Sequence, residues 1–517
     1  MESRNARPQS TVRWGALMAV LITVSTGAPA SADLLWFLGS PTPTASPKAT
    51  PTPTPTPLST QNPSPSVGGL RTITGCDTRL KDSVQLGSDL VSSSGSCLVA
   101  RASGITIDGN GHRISVPNGY FAIQWNDQSD ITVKNVVSDQ GIQIYGANAN
   151  RNVVENSTFG TVGIYMGDDN VVRDSKMGAL RVRGLNSDPP LRTVVTGNTI
   201  EGPGWSGILV YLSPNDDGVN LCARSDSVLE NNYIHDTAAY SSTANDQVLL
   251  YLRCGSFNTV VGNTMVSQGK ARGIYMRDEA DDNLIQDNVV WVNNGDRSAF
   301  HFSSGNDDKH HPRNNTIDHN VFRADATRSV YIESNDFRYN LFTRNLFWSN
   351  SAEGARISGG TGNVFDHNTF VNRAVGTMLV LDSFQAPGNT YTNNIFEYSG
   401  KDSSQPLYNL SGQFDLGGYH GNNNVFFNRL GPALFDDGSG WTLSYWQQKS
   451  VADASSIEAN PLFVDESDGD FQLDPNSPAS SADSGGMSAG AFSAAGTPPR
   501  PSPPGPSKEL KPPSAPR

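Results

Sequence analysis

Apolar and polar residues alternate along much of this chain in a short phrase that recurs many times. The phrase begins with Asn, continues through strand-forming residues to a second Asn five positions later, and ends on an apolar residue. It reads NTVVGNTM from Asn258, NLIQDNVV from Asn283, NTIDHNVF from Asn315 and NVFDHNTF from Asn363. A period of two is typical of β-strands, and Asn tolerates turn conformations. The phrase therefore predicts short strands separated by tight turns.

A second phrase, Gly-Ile-x-apolar, alternates with the first. It reads GIQIY from Gly141, GILVY from Gly207 and GIYM from Gly273, with weaker copies between and beyond them. Steps between copies range from 16 to 40 residues, and most lie between 22 and 30. Such a repeat indicates a solenoid, in which each copy adds one coil. The predicted fold is all-β: a single-stranded parallel β-helix of about ten or more coils.

The two ends of the repeat region resemble known secreted proteins. The opening segment GCDTRLKDSVQLGSDLVSSSGSCLVARASGITIDGNGHRI is similar to the first coils of NosD-like repeat proteins. SIEANPLFVDESDGDFQLDPNSPASSADSGGMSAGAF is similar to the closing coil of bacterial secreted β-helix proteins. Together with the repeats, these segments make residues 71–492 resemble a right-handed parallel β-helix of the pectate-lyase-like superfamily. The resemblance implies a right-handed solenoid with an N-terminal cap, and one such fold hosts many chemistries.

The chain ends predict export. Three arginines precede an apolar run at 14–24, and Ala30-Ser31-Ala32 follows as a cleavage site, which is the pattern of a signal peptide. An uncleaved anchor is the alternative, although the run is short for a membrane span. We expect a secreted bacterial protein, with cell-wall association as an option. The predicted divisions are signal peptide 1–32, Pro/Thr-rich linker 33–69, β-helix 70–400, closing coils and C-terminal cap 401–495, and disordered Pro-rich tail 496–517.

Charge and cysteine content narrow the partners. The net charge of −13 argues against nucleic acid, and we expect a monomer without a membrane span once the signal is removed. Four cysteines in an exported chain favour two disulfides over a metal, and no CxxC spacing supports zinc. Three pairings are possible. The preferred one joins Cys76 to Cys97, closing the first coil, and Cys222 to Cys254.

The repeated asparagines are interpreted as structural. Stacked amides would bond from coil to coil and satisfy the backbone of one turn. His319 and His367 lie in Asp-His-Asn copies of the same turn and are interpreted in the same way. The predicted column is Asn156, Asn198, Asn232, Asn263, Asn288, Asn320, Asn345, Asn368 and Asn394.

The outward positions of the Gly-Ile-x-apolar strands are the candidate site. Alternation directs these side chains away from the core, and successive coils lie ~4.8 Å apart, so they form one continuous face. Leu209, Leu249, Leu379 and Leu381 are also predicted to point outward. An ordinary solvated sheet face is the alternative, since Tyr and Arg suit strands. The predicted catalytic residues are His301, Tyr275, Tyr331, Arg277 and Glu333, and the predicted substrate-binding residues are Tyr251, Arg356 and Tyr211.

Aromatic rings suit sugar faces and arginines suit carboxylates, so the face predicts binding of an acidic, uronate-containing polysaccharide. A lyase needs a cation for the substrate carboxylate, a base and an acid, and Arg277 or Arg356 with His301, Tyr275 or Tyr331 would supply them. A glycoside hydrolase needs two carboxylates, and the strand face offers only Glu333. The alternatives are a non-catalytic binding protein and a glycoside hydrolase. The catalytic motifs of pectate lyases, polygalacturonases and mannuronan epimerases are missing, so no site residue rests on a family motif.

Two long connections are expected to flank the face. They contain the pairs Asp216/Asp217 and Asp307/Asp308, for which Ca²⁺ binding and a solvated loop are the two interpretations. The neighbouring His310/His311 has no spacing that requires a metal. No other cofactor is expected.

Overall fold

The computed structural model describes residues 70–492, except 186–187, 203–207, 214–221, 237–246, 294–297, 304–311, 334–336, 382–387, 411–417, 437–439 and 484–487. The predicted signal peptide, the linker, the C-terminal tail from 493 onward and both Asp-Asp pairs lie outside this range. Among the described residues, no helix is long and apolar enough to cross a membrane.

Short strands make up nearly all of the regular structure. In the first half they are β1 Arg71–Ile73, β2 Asp77–Leu80, β3 Val84–Leu86, β4 Leu90–Val91, β5 Leu98–Ala100, β6 Thr106–Asp108, β7 Ile114–Ser115, β8 Phe121–Asn126, β9 Thr132–Lys134, β10 Gly141–Tyr145, β11 Val153–Glu155, β12 Thr158–Tyr165, β13 Val171–Arg173, β14 Lys176–Arg183, β15 Val194–Thr196, β16 Thr199–Glu201, β17 Ile208–Ser213, β18 Ala223–Arg224, β19 Val228–Glu230, β20 Tyr233–Asp236, β21 Val248–Arg253, β22 Gly255–Ser256, β23 Thr259–Val261 and β24 Thr264–Ser267.

The second half continues the same pattern and adds one helix. Its elements are β25 Arg272–Arg277, β26 Leu284–Gln286, β27 Val289–Val292, β28 Phe300–Ser303, β29 Thr316–Asp318, β30 Val321–Ala324, β31 Val330–Ile332, β32 Leu341–Thr343, β33 Leu346–Ser349, β34 Glu353–Ile357, β35 Val364–Asp366, β36 Thr369–Asn372, β37 Thr377–Leu381, β38 Asn389–Thr392, β39 Ile395–Tyr398, β40 Tyr408–Leu410, β41 Tyr419–Asn422, β42 Val425–Asn428, β43 Leu434–Asp436, β44 Trp441–Thr442, α1 Leu443–Ser450, β45 Ile457–Glu458, β46 Phe463–Asp465 and β47 Asp470–Leu473, with 3₁₀ turns at Glu466–Asp468 and Pro478–Ser481.

The strands stack into three parallel ladders, one for each side of the coil. The first ladder runs β1-β3-β6-β9-β11-β13-β15-β19-β23-β26-β29-β32-β35-β38-β41. The other two separate at β14, which pairs with both β16 and β17. The second ladder continues from β16 through β20, β24, β27, β30, β33, β36, β39 and β42, and the third from β17 through β21, β25, β28, β31, β34, β37 and β40. The predicted all-β parallel β-helix is confirmed.

Aromatic stacks fill the interior of the later coils. On the first ladder Phe342 stacks on Phe365 with ring centroids 4.7 Å apart, and Phe365 stacks on Tyr391 at 5.0 Å. A matching stack on the second ladder comprises Phe347, Phe370, Phe396 and Phe426. Like rings stack because parallel pairing places equivalent residues of successive coils one strand spacing apart. At the far end α1 lays the fully buried Trp446 against Phe435, which covers the last coil.

Two asparagine ladders, one for each Asn of the phrase, hold the turns. Asn263 donates from its backbone N–H and from Nδ2 to Oδ1 of Asn288, at 2.9 and 3.0 Å, and Asn288 repeats both bonds to Asn320. The second amide hydrogen of Asn263 reaches the carbonyl of Leu229. The other asparagine ladder is formed by the first Asn of each phrase: Asn258, Asn283, Asn315, Asn340, Asn363 and Asn389.

One predicted member of the column is wrong. Ser157, not Asn156, continues the ladder, because the backbone N–H of Ser157 donates to Ser175 Oγ and that of Ser175 donates to Asn198 Oδ1. Asn156 occupies the preceding position, where the backbone is left-handed (φ 48°) and the side chain is exposed. His319 and His367 take the same left-handed position in later coils, with φ of 53° and 55°. This left-handed backbone position in the turn supports the structural interpretation of both histidines.

Both predicted disulfides are present. Cys76 is bonded to Cys97 and Cys222 to Cys254, with Cα atoms 4.7 and 4.5 Å apart. The first bond links the segments of β2 and β5, and the second links the loop after β17 to the end of β21. Each cross-link joins adjacent coils.

Candidate functional site

The third ladder aligns the predicted site residues in one column. Tyr211 pairs with Tyr251, Tyr251 with Tyr275, Tyr275 with His301, His301 with Tyr331, and Tyr331 with Arg356. We call the outward side of β14, β17, β21, β25, β28, β31 and β34 the tyrosine–arginine face. The sequence prediction that these six residues share a face is confirmed, while their catalytic and binding roles stay predictions.

Four leucines predicted on this face, Leu209, Leu249, Leu379 and Leu381, are not part of it. Leu209 and Leu249 are fully buried in the interior core. The next residues, Val210 and Leu250, lie in the same core, and Val248 packs with the outer tyrosines, so two successive residues point inward and regular alternation breaks in both strands. At β37 the column continues through Val380, which pairs with Arg356, whereas Leu379 and Leu381 pair with the inward Ala355 and Ile357. A shift of one residue moves a side chain to the opposite side of the strand.

The rings of the column stack into a continuous wall. Ring centroids are 5.4 Å apart between Tyr211 and Tyr251, 4.9 Å between Tyr251 and Tyr275, and 5.0 Å between Tyr275 and His301. Tyr331 follows His301 at 4.9 Å. Tyr251, Tyr275 and His301 are only 7%, 4% and 5% exposed. The column is therefore a packed platform with few ring faces open to solvent.

Arg272 is the most unusual charged residue on this face. It pairs with Val248 on β21, and its guanidinium lies over the Tyr275 ring, 4.3 Å from the centroid. Only 6% of the residue is exposed, and its Nε and Nη1 have no hydrogen-bond partner among the described residues. A buried guanidinium whose donors are unsatisfied carries a free-energy cost that an acidic ligand would relieve.

Glu333 is a carboxylate of this face that feels the charge of Arg272. Its Oε2 lies 3.2 Å from Nε2 of the buried His301, and half of its side chain is exposed. The hydrogen bond with His301 is the main influence that holds the pKa of Glu333 below its usual value, against the opposing effect of burial. The charge of Arg272 and a hydrogen bond from Tyr331 act in the same direction. Glu333 is thus an ionised group that reaches solvent, and His301 supports it from below.

A second set of charges borders the tyrosine wall at the end of β21 and β25. Arg253 Nε donates to Asp278 Oδ2 at 2.7 Å, and Arg277 lies 3.7 Å from the same carboxylate. Arg277 also donates to the hydroxyl of Tyr251. Burial raises the pKa of Tyr251, so its hydroxyl stays protonated and can accept this bond.

The last two coils of the face carry a third set. Arg328 lies over the Tyr331 ring, 4.9 Å from its centroid, and forms an ion pair with Glu353. Arg356 Nη1 is 3.3 Å from the same carboxylate. The predicted ligand-binding arginine Arg356 is therefore already paired within the protein.

Sequence reasoning missed four charged residues of this face: Arg253, Arg272, Arg328 and Glu353. Arg272 and Glu353 begin their strands, Arg253 ends one and Arg328 precedes one, so all four lie outside the Gly-Ile-x-apolar core that guided the prediction. Arg253 lies two residues after Tyr251, and Arg272 and Arg328 lie three residues before Tyr275 and Tyr331. These offsets from the tyrosines could have identified three of the four residues from the sequence. The described residues contain no group of three or more His, Cys, Asp or Glu side chains arranged to hold a metal.

The family model of the right handed beta helix region matches residues 195–370. This match confirms the predicted right-handed parallel β-helix, whereas the NosD-like character of the opening coils stays a prediction. The chain is also similar in structure to the tailspike protein of E. coli bacteriophage HK620 in complex with pentasaccharide, at 15% identity and a TM-score of 0.40, covering 70% of this chain and 69% of that one. The Dettilon tailspike protein matches at 13% identity and a TM-score of 0.38, covering 66% and 63%. No curated protein sequence matches significantly. Sequence identities and TM-scores this low support no inference about the ligand or activity of this protein.

Proposed function

We propose that the tyrosine–arginine face binds an acidic, uronate-containing polysaccharide laid along the axis of the β-helix. The buried guanidinium of Arg272, with two nitrogens lacking a hydrogen-bond partner among the described residues, carries this proposal. Carboxylates match guanidinium geometry through paired hydrogen bonds. Six successive column positions, from Tyr211 to Arg356, extend over about 24 Å at the usual strand spacing. That length suits a polymer better than a small metabolite.

The balance of charge on the face supports an acidic ligand. Three carboxylates contact or adjoin the arginines of this face: Asp278, Glu333 and Glu353. The protein as a whole carries a net charge of −13, so this positive face stands out against an acidic background. Positive clefts on acidic proteins attract anionic ligands locally. The arginines on or directly beside these strands are Arg181, Arg183, Arg253, Arg272, Arg277, Arg328 and Arg356.

We assign lyase chemistry to the coils around His301. Arg272 and Arg277 would neutralise the uronate carboxylate, which makes the proton on the adjacent carbon more acidic. Glu333 and Tyr331 are the acid–base groups nearest to solvent, and His301 is a positioning residue that acts through Glu333. A base removes the proton, the carbon–carbon double bond forms, and the glycosidic oxygen leaves with a proton from the acid.

One observation favours a non-catalytic binding protein as the second candidate. His301 and Tyr275, two of the predicted catalytic residues, are 95% or more buried within the ring stack. Buried groups support a platform more readily than they exchange protons with a polymer. In this alternative the face binds the chain through its arginines and leaves it intact. A hydrolase on this face would have to pair Glu333 with Glu353 or Asp278, which are already engaged by Arg328 and Arg253.

The test is a panel of uronate and neutral polysaccharides incubated with the protein. A lyase generates unsaturated ends that absorb in the ultraviolet, a hydrolase generates reducing ends without this absorbance, and a binding protein generates neither. We expect absorbance on at least one uronate polymer, and His301→Gln to lower the rate at nearly unchanged affinity. Binding of neutral polymers alone would contradict the acidic specificity. Binding without either product would leave the second candidate.

We also propose that the protein acts outside the cell, which rests on the predicted signal peptide and is supported by the two disulfides. Fractionation of expressing cells should place the protein beyond the cytoplasmic membrane, without free thiols after denaturation. A reduced protein in the cytosol would contradict the proposal.

A further inference from the structure

A polar cavity of about 560 Å³ lies on a different side of the coil, between β39 and the C-terminal segment. The coil contributes Arg373, Glu397, Ser399 and Arg429, and the segment that returns over it contributes the opposite wall. The residues of that wall are Asn460, Leu462, Phe463, Val464, Asp465, Glu466 and Ser467. A cavity of this volume is within the range of small-molecule sites.

Two carboxyl groups face each other in this cavity. Glu397 is fully buried, and its Oε1 accepts a hydrogen bond from Arg429 Nη2 at 2.9 Å. Its Oε2 is buried and receives no hydrogen bond from any described donor. Glu466 is bonded by Arg373 Nε at 3.3 Å and by Ser399 Oγ at 3.2 Å, and it forms an ion pair with Arg429. The pair is thus held by two arginines and, when Glu397 is protonated, by a hydrogen bond between the two carboxyl groups, and Glu397 Oε2 can still accept from a further partner.

Positively and negatively charged side chains both line the cavity, and this restricts the charge of a ligand that can bind there. A cation would meet Arg373 and Arg429, and an anion would meet Glu466 and Asp465. A neutral molecule with many hydroxyl groups meets neither repulsion, since each hydroxyl both donates and accepts. The apolar side chains of Leu462, Phe463 and Val464 would suit the C–H face of a sugar ring.

We propose that this cavity binds a neutral sugar, with a sugar hydroxyl hydrogen-bonded to Glu397 Oε2 and the ring against the 462–464 wall. The site is independent of the polysaccharide proposed for the tyrosine–arginine face, because it lies on the second ladder and shares no residue with that face. It gives the C-terminal segment a role in binding in addition to its packing role.

The protonation of Glu397 supports this assignment. Burial, followed by the negative charge of Glu466, raises the pKa of Glu397 to about 7. Below that pH the carboxyl group carries a proton that it shares with Glu466, and Oε2 can accept from a sugar hydroxyl, whereas above it a second buried negative charge faces Glu466. If the protonated form binds, affinity falls by about tenfold per pH unit above the pKa of Glu397.

The test uses the full-length protein with three neutral disaccharides as probes: cellobiose, lactose and maltose. Saturable binding is followed by ligand-observed NMR between mildly acidic and mildly alkaline pH. We expect at least one probe to bind with a Kd near about 1 mM at acidic pH, and to weaken as the pH rises. Glu397→Gln should keep the binding and remove its pH dependence, because the amide remains a donor.

Controls separate the two faces and exclude misfolding. Asn460→Ala, on the exposed rim, removes the Oδ1 that accepts from the Leu462 N–H and so loosens the 462–464 wall without touching the buried pair. We expect it to weaken the probe at least threefold, and its melting temperature checks that the fold is kept. Arg272→Ala, on the tyrosine–arginine face, should leave probe binding unchanged. The proposal is overturned if none of the three probes binds saturably, or if Glu397→Gln and Asn460→Ala both bind the probe as the parent does at every pH.

Discussion

Two outer faces of this β-helix share the same coils and register, but their charged side chains differ in how fully they are paired. We call the outward side of β27, β30, β33, β36 and β39 the capped face, because apolar residues of the C-terminal segment pack over it: Phe463, Phe471, Leu473, Ala479, Ala489, Ala491 and Phe492. There Trp348 lies against Phe471, Arg323 and Arg373 lie over the Trp348 ring, and Glu466 comes from the covering segment to meet Arg373. On the tyrosine–arginine face the arginines outnumber the carboxylates, and Arg272 keeps two nitrogens without a described partner.

This difference separates two uses of the same strand geometry. On the capped face, tryptophan, phenylalanine and paired charges stabilise the fold by burial. On the tyrosine–arginine face, the stacked rings support guanidinium groups whose charge is only partly neutralised. Substitutions should therefore divide into those that change stability and those that change binding, according to the face on which they lie.

The largest expected effect is a loss of stability caused by a substitution on the capped face. Trp348→Ala removes a ring that is 6% exposed and leaves a cavity beneath Phe471, which should cost about 3–5 kcal/mol of unfolding free energy. Polymer binding by the folded fraction should not change. Denaturant unfolding and a binding assay on the same sample measure both. A stable Trp348→Ala variant that binds polymer poorly would contradict the claim that the capped face acts on stability and the tyrosine–arginine face on binding.

The next effect is the pH dependence of the capped face. The raised pKa of Glu397 means that the folded protein binds this proton more tightly, so the stabilisation is complete below the unfolded value near 4.5 and is lost as the pH rises through about 7. His367 lies between Asp366 and Asp483, at 2.8 and 3.3 Å. Burial alone lowers the pKa of His367, but the bonds to the two carboxylates outweigh it and raise the pKa above 6.5.

Both groups therefore weaken the attachment of the C-terminal segment as the pH rises. For Glu397 the loss is on the order of 3 kcal/mol at most, since one pKa unit corresponds to about 1.4 kcal/mol. Hydrogen exchange in β46 and β47 at about pH 5 and about pH 8 should show faster opening at the higher pH. Glu397→Gln should remove most of the difference. Equal protection factors at both pH values, after correction for the intrinsic rate of amide exchange, would contradict the assignment.

A smaller effect, on binding alone, is expected at Arg272. Arg272→Ala should weaken binding of a uronate polymer by about 10- to 100-fold, because hydrogen bonds to a charged group contribute about 1.5–3 kcal/mol. Binding titrations at matched ionic strength measure the change. The matched control on the other face is Arg429→Ala, which should leave polymer affinity as it is. An equal loss in both variants would mean that the overall charge, and not this face, attracts the polymer.

The smallest effect is expected at Arg356. Its guanidinium is paired with Glu353 at 3.3 Å, and both side chains are a little under one-third exposed. Such partly exposed pairs contribute at most about 1 kcal/mol. Arg356→Gln should therefore change polymer affinity less than fivefold in the same titration, and the double variant with Arg272→Ala should resemble Arg272→Ala. A larger loss would show that the ligand displaces Glu353 from Arg356.

The repeat phrase determined the fold, because its strand period and turn residues act locally in every coil. It predicted the asparagine column from Asn198 to Asn394 and the shared column from Tyr211 to Arg356. Its one error in the asparagine column, Asn156 in place of Ser157, arose from counting residue type instead of the five-residue spacing. The errors at Leu209, Leu249, Leu379 and Leu381 have a related cause, since strict alternation cannot locate a break at which two successive residues point inward.

Burial on the outside of the coil was decided by tertiary structure alone. By sequence, Glu397 is a polar residue in a strand between Phe396 and Tyr398, and nothing in the pattern indicates that residues 460–467 return to cover it. Likewise, Arg272 and Tyr275 meet because of one strand's twist and packing, and Glu333 reaches His301 only through the pairing of β28 with β31. Local alternation sets which way a side chain points from its strand. What lies over that side chain depends on segments far along the chain, so the chemistry of both sites became visible only in the folded molecule.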